Sequence, residues 1–91
     1  MSDGVTRDFV ITNQLGLHAR ASATLVRVAS KFVCDVTVAK DGHGVNGKSI
    51  LGMMTLAAAM GSTVRITCKG PDEDQAMEAV GACIENKFGE E

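Results

Sequence analysis

Hydrophobic positions along the chain change period from two residues to about 3.6 and back, which predicts that strands and helices alternate. Residues 5–12 predict a strand, with Phe9 and Ile11 inward, Asp8 and Thr12 outward, and Val10 interrupting the alternation of apolar and polar residues. The same alternation recurs over residues 33–40 and 63–69. Because each of these segments has one apolar and one polar side, we expect a sheet with one covered and one solvated face.

Two amphipathic helices are expected to cover that sheet. The first follows a loop over residues 13–17. Its apolar face consists of Ala21, Leu25, Val28, Ala29 and Phe32. A second stripe with the same spacing follows the break at Gly70-Pro71. Its apolar residues are Ala76, Met77, Val80, Cys83, Ile84 and Phe88. The acidic residues 72–74 suit a solvated helix start, which we favour over the alternative of a metal site.

The order of elements defines the fold class. Asp41-Gly42 predicts a tight hairpin turn into a short return strand over residues 43–48. The full order is then strand, helix, two strands, short helix, strand, helix. Since all helices must lie on one face of the sheet, we expect a two-layer, open-faced β-sandwich of α+β class. With 91 residues the chain should form a single domain over residues 1–91.

The short helix has an unusual distribution of apolar residues. Ser49 can cap its start through the hydroxyl group. At about 100° per residue, Ile50, Leu51 and Met54 lie on one side. Met53 and Leu56 lie on the opposite side and are assigned to the core. An exposed apolar side would mark an interaction surface. The alternative is that neighbouring elements bury both sides.

The most informative single residue is His18, which precedes the first turn of the first helix. Helix starts present free N–H groups and partial positive charge, and they bind anions. Arg20 lies two residues further on. A neutral imidazole nitrogen is a nucleophile near pH 7 and can accept a phosphoryl group. The pattern is typical of a phosphoryl-accepting site, although spacing alone leaves a solvated surface histidine as the alternative.

Composition excludes several classes of protein. The net charge of -2 argues against nucleic-acid binding. A mostly basic stripe beside His18 favours an acidic protein partner instead. Its members are Arg20, Thr24, Arg27 and Lys31. The three dispersed cysteines are expected to be buried and reduced, as in the cytoplasm. No membrane insertion and no metal site are expected, and the solitary turn residue His43 is assigned no role.

Three segments resemble one known family in the same order and spacing. Gly16-Leu17-His18-Ala19-Arg20 is similar to the phosphorylation-site motif of HPr, the histidine-containing phosphocarrier of the bacterial phosphotransferase system. Residues 46–56 resemble the regulatory-serine segment of that family, and residues 69–76 resemble the start of its last helix. The family usually has proline after the arginine, where this chain has Ala21. Because alanine is the best helix former, we expect the helix to persist.

The resemblance implies both a fold and a chemical role. The implied fold has four mostly antiparallel strands covered by three helices. His18 would accept a phosphoryl group on Nδ1 from enzyme I, which takes it from phosphoenolpyruvate, and pass it to an enzyme IIA component. Arg20 would balance the charge, and the backbone N–H groups near Ala19 and Arg20 would hold the phosphate. The protein would then be a covalent carrier without a cofactor, and not an enzyme.

The resemblance also implies partners and regulation. A dedicated HPr kinase/phosphorylase would modify Ser49. Partner proteins would dock on Ile50, Leu51, Met54 and Arg27. A monomer is expected. The alternative is a purely regulatory partner protein that acts through the surface around Ser49, as do relatives that lack the active histidine.

Overall fold

The sheet has four strands, and every neighbouring pair is antiparallel. The computed structural model describes residues 3–90. Its strands are β1 (Val5–Val10), β2 (Asp35–Lys40), β3 (His43–Asn46) and β4 (Thr63–Lys69). The order across the sheet is β1-β4-β2-β3, with Phe9 opposite Val64 and Val38 opposite Ile66. The sheet expected to be mostly antiparallel is therefore antiparallel at every strand pair of the described residues.

Three α-helices follow the predicted order. They are α1 (Ala19–Ala29), α2 (Ile50–Thr55) and α3 (Glu73–Glu85). Helix α3 packs on β1 and β4, and α1 packs against both α3 and α2. A short 3-10 turn, Lys87–Gly89, follows α3. The predicted open-faced β-sandwich of α+β class is confirmed.

The core lies between the helices and the inner face of the sheet. The strands and the residues directly next to their ends contribute the inward side chains that the alternation predicted. These are Phe9, Ile11, Cys34, Val36, Val38, Val64, Ile66 and Cys68. Cys83 is only half-buried, and all three thiols are free. Burial raises the pKa of the Cys68 thiol to about 11, so this thiol stays neutral and unreactive near pH 7.

Both long helices end earlier than the apolar spacing predicted. Helix α1 stops at Ala29, and Phe32 is half-buried beyond its end. Helix α3 stops at Glu85, so the prediction that Phe88 belongs to the helix is wrong. Lys87 and Phe88 both have positive φ, at 54° and 56°, which is incompatible with a right-handed helix. Phe88 nevertheless returns to the core and is 5% exposed.

The acidic start of α3 has a structural contact that a solvated helix start would lack. The Asp72 carboxylate accepts hydrogen bonds from the backbone N–H groups of Val33 at 2.8 Å and Cys34 at 2.9 Å. These bonds, that of Val33 foremost, hold the pKa of Asp72 below its usual value. Strand β2 begins directly after these two residues, at Asp35. Asp74 is solvent-exposed, as predicted.

Candidate functional site

The loop before α1 is held tightly against a neighbouring segment of the chain. The Leu17 N–H donates to the carbonyl oxygen of Ala58 at 2.9 Å. Gly16 has a φ of +65°, and a β-carbon there would overlap the Ala58 oxygen and lie 2.9 Å from Ala59 Cα. Leu17 is 4% exposed and Leu15 is 73% exposed. Leu17 therefore anchors the loop and Leu15 does not. The anchored loop fixes the position of His18 at the start of the helix.

His18 is the N-cap residue of α1, and its ring lies at the helix start. Its backbone is extended, with φ −74° and ψ −177°, and Nδ1 accepts from the Arg20 backbone N–H at 3.3 Å. The His18 carbonyl accepts from the Ser22 N–H at 2.9 Å. The side chain is 28% exposed. Nδ1 therefore faces the positive end of the helix, while the ring remains accessible to solvent.

The other ring nitrogen contacts a carboxylate from the far end of the chain. His18 Nε2 lies 2.6 Å from Glu90 Oε2. The Asn13 amide donates to Glu90 Oε1 and to the Gly16 carbonyl, both at 2.8 Å. Hydrogen bonds from Asn13 and His18, together with the nearby charge of Arg20, hold the pKa of Glu90 below its usual value, against the opposing effect of burial. Glu90 is therefore ionised near neutral pH.

Sequence reasoning did not identify Asn13 or Glu90 as part of this site. An asparagine in a loop is typical of a turn, and its only local signal is the capacity to bond nearby backbone groups. Glu90 is 72 residues from His18 in the sequence. No local pattern could have paired them, because the pairing depends on how the chain turns after α3.

The basic residues of the site lie on the exposed side of α1. Arg20 and Arg27 are both exposed. Seven residues separate them, which is two helical turns, or about 10 Å along the axis. Ala19 is the first residue of α1. Helix starts leave N–H groups without an intrahelical partner, so this end of α1 can bind an anion near Nδ1.

The short helix α2 has the predicted cap and the predicted exposed side. The Ser49 hydroxyl accepts from the Gly52 N–H at 3.1 Å. Ile50, Leu51 and Met54 are 42%, 78% and 42% exposed. The opposite side is buried, with Met53 and Leu56 in the core. Since α2 packs against α1, the exposed α2 residues and the His18 helix belong to the same layer.

Other chemistries lack support in the described part of the chain. Residues 3–90 contain no group of three or more His, Cys, Asp or Glu side chains that could hold a metal ion. No helix among the described residues is long and apolar enough to cross a membrane. His43, the other histidine, is exposed at the start of β3.

Comparison with known proteins gives one consistent result. The family model described as the "PTS HPr component phosphorylation site" matches residues 5–86. The phosphocarrier protein HPr of Cupriavidus necator is 54% identical over 84 residues, which is 92% of this chain and 94% of that protein. HPr of Xylella fastidiosa is 46% identical over 84 residues, with the same two coverages.

A crystal structure of HPr from Thermoanaerobacter tengcongensis has the same fold. It superposes with a TM-score of 0.92 at 44% identity and covers 96% of this chain and 98% of that chain. The motif around His18, the fold and these relatives agree. The chain therefore belongs to the HPr family of phosphocarrier proteins of the phosphotransferase system.

Proposed function

We propose that His18 accepts a phosphoryl group on Nδ1 from phosphorylated enzyme I and passes it to an enzyme IIA component. The observation that supports this most directly is the position of Nδ1, which faces the N-terminal end of α1. Phosphoryl transfer requires mainly positioning and stabilisation of charge. The helix start provides both to an incoming phosphate.

The transfer step uses few groups of this chain. The Nδ1 lone pair forms the new nitrogen–phosphorus bond while the bond from phosphorus to the donor atom on enzyme I breaks, and its electrons stay with the donor. Arg20 balances the added negative charge. The backbone N–H groups of Ala19 and Arg20 hold the phosphate oxygens. Transfer to enzyme IIA reverses these events, so the protein is regenerated and acts as a carrier.

Partner binding is assigned to the surface around the site. Ile50, Leu51 and Met54 expose apolar area on α2, and Arg27 adds positive charge on α1. This combination suits a partner with an acidic rim and an apolar centre. We place the exchange in the cytoplasm, where phosphoenolpyruvate supplies the phosphate, and expect the protein to act as a monomer in sugar transport.

Ser49 supports a second candidate function. An HPr kinase/phosphorylase could phosphorylate this hydroxyl at the start of α2. The added charge would lie beside Ile50 and Leu51 and would repel an acidic partner. The chain would then act as a regulatory partner through the exposed side of α2. The observation that favours this candidate is the exposed side of α2, because Ser49, Ile50, Leu51 and Met54 form that surface without any contribution from His18.

Intact-mass spectrometry tests the carrier proposal. The protein is incubated with enzyme I and phosphoenolpyruvate and weighed before and after brief acid treatment. We expect one phosphate, removed by acid because a phosphorus–nitrogen bond is labile. His18→Ala should accept none, whereas His43→Ala, which changes the exposed histidine outside the site, should accept the phosphate normally.

Two results would contradict the carrier proposal. One is a folded protein that accepts no phosphate from an enzyme I shown to be active on another carrier. The other is acid-labile phosphate in His18→Ala at the level of the unchanged protein. An acid-stable phosphate added at Ser49 by a kinase, without transfer to His18, would favour the regulatory candidate.

A further inference from the structure

The contact between Glu90 and His18 joins the last turn of the described chain to the reacting residue. The 2.6 Å separation of Nε2 and Oε2 is a strong charge-assisted hydrogen bond. The Glu90 side chain is only 13% exposed. Its second oxygen is held by Asn13, which is itself fully buried. The carboxylate is thus fixed on both oxygens.

The backbone before Glu90 explains how it reaches the site. Phe88 inserts into the core just beyond α3. The positive φ values of Lys87, Phe88 and Gly89 turn the chain back, and the Glu90 N–H donates to the Lys87 carbonyl at 3.0 Å. A packed turn therefore places Glu90 beside His18.

Two independent contacts select the same form of the His18 ring. Nδ1 faces the Arg20 backbone N–H, a donor, so Nδ1 must carry the lone pair. Nε2 faces an ionised carboxylate, an acceptor, so Nε2 must carry the proton. The neutral ring is thus held with its nucleophilic nitrogen at the helix start.

We propose that Glu90 is a positioning residue for phosphoryl transfer, because its carboxylate holds the Nε2 proton of His18 and leaves the Nδ1 lone pair free to attack. This inference rests on the proposed carrier function. When Nδ1 bonds to phosphorus, the ring keeps its Nε2 proton and becomes positively charged. The Glu90 carboxylate stabilises that charge, so it favours the phosphorylated ring as well as the attacking tautomer.

Substitution of Glu90 tests the inference with a measurement that does not depend on activity. In histidine labelled with ¹⁵N, long-range proton–nitrogen NMR spectra report which ring nitrogen of neutral His18 carries the proton. We expect the Nε2–H form in the unchanged protein and a mixture of both forms in Glu90→Ala. Glu78→Ala, which removes an exposed carboxylate from α3, is the matched control and should leave the spectrum unchanged.

The rate of phosphorylation by enzyme I gives the second measurement. Glu90→Ala should lower the rate about tenfold or more, the scale for losing one hydrogen bond to a charged group. Glu90→Gln should also lower it, because an amide has one acceptor oxygen and cannot satisfy both Asn13 and His18 Nε2–H. Melting temperatures of Glu90→Ala and Glu90→Gln equal to that of the unchanged protein would exclude a general loss of structure.

The outcomes separate this inference from the carrier function. Normal phosphorylation of the unchanged protein with an equal rate in Glu90→Ala overturns the role of Glu90 alone. An unaltered tautomer in Glu90→Ala does the same. Failure of every variant, including the unchanged protein, to accept phosphate overturns the carrier function and this inference with it.

Discussion

At the residue scale, the orientation of the His18 ring depends on two contacts, one from the Arg20 backbone N–H to Nδ1 and one between Nε2 and the Glu90 carboxylate. His18 and Arg20 could be found from the sequence because they lie two residues apart at a predicted helix start. Asn13 and Glu90 could not, because Glu90 contacts the ring from 72 residues away and Asn13 acts only through its hydrogen bond to Glu90. Gly16 could be found as part of the motif, but its close approach to Ala58 is visible only in three dimensions.

Gly16 provides a test of how tightly the loop is held. Gly16→Ala should destabilise the fold by about 2 kcal/mol or more, because the residue needs positive φ and its β-carbon would overlap the Ala58 oxygen. Gly42→Ala is the control. It also has positive φ, at +82°, but nothing lies within 4 Å of the added carbon, so it should cost only about 1 kcal/mol.

Urea unfolding followed by circular dichroism measures both variants. Equal losses of stability in Gly16→Ala and Gly42→Ala would mean that the contact with Ala58 is not a constraint on the loop.

At the scale of the elements, alternation and helical spacing, together with the Asp41-Gly42 turn and the Ser49 cap, predicted the order of the strands and α-helices and the inward residues of the sheet. They failed at element ends. Phe88 continues the spacing of Ile84, so the pattern could not reveal that the backbone reverses at Lys87. The sequence around Asp72 predicts a helix start. Only the folded structure shows that its carboxylate accepts hydrogen bonds from the backbone N–H groups of Val33 and Cys34. Ends are set by contacts between distant segments, which periodicity does not report.

Helix α2 gives a prediction that separates docking from folding. Leu51→Asp should slow phosphoryl transfer from enzyme I markedly with an unchanged melting temperature, because Leu51 is 78% exposed and the added charge would oppose an acidic partner. Met53→Ala should instead lower the free energy of unfolding by about 2–5 kcal/mol, since Met53 is fully buried.

Steady-state transfer kinetics and thermal unfolding measure the two effects. If Leu51→Asp transferred phosphate as fast as the unchanged protein, the exposed side of α2 would not be the docking surface.

At the scale of the whole molecule, charge is distributed unevenly over a mildly acidic chain. The net charge is -2, yet α1 exposes Arg20 and Arg27, and Lys31 is exposed just beyond its end. On the open face of the sheet, Arg65 is neutralised by Asp8, with Arg65 Nε 2.9 Å from Asp8 Oδ1. The helical side of the molecule is therefore the side suited to an acidic partner.

This asymmetry predicts a salt-dependent association. Arg27→Ala should raise the KM for transfer from enzyme I by about two- to fivefold at low ionic strength, because an exposed charge at an interface acts mainly on the rate of encounter. The difference should shrink at about 0.5 M salt, where surface charges are screened. Arg65→Ala, on the opposite face, is the control and should leave the KM unchanged. Equal effects of the two substitutions would contradict docking on the α1 side.

The position of the phosphate on the ring tests the central claim most directly. The protein, labelled with ¹⁵N at histidine, is phosphorylated by enzyme I and phosphoenolpyruvate, and phosphorus–nitrogen coupling is measured by NMR. We predict coupling at Nδ1 of His18, with the proton retained on Nε2 beside Glu90. Coupling at Nε2 of His18, or at a nitrogen of His43, would contradict the account.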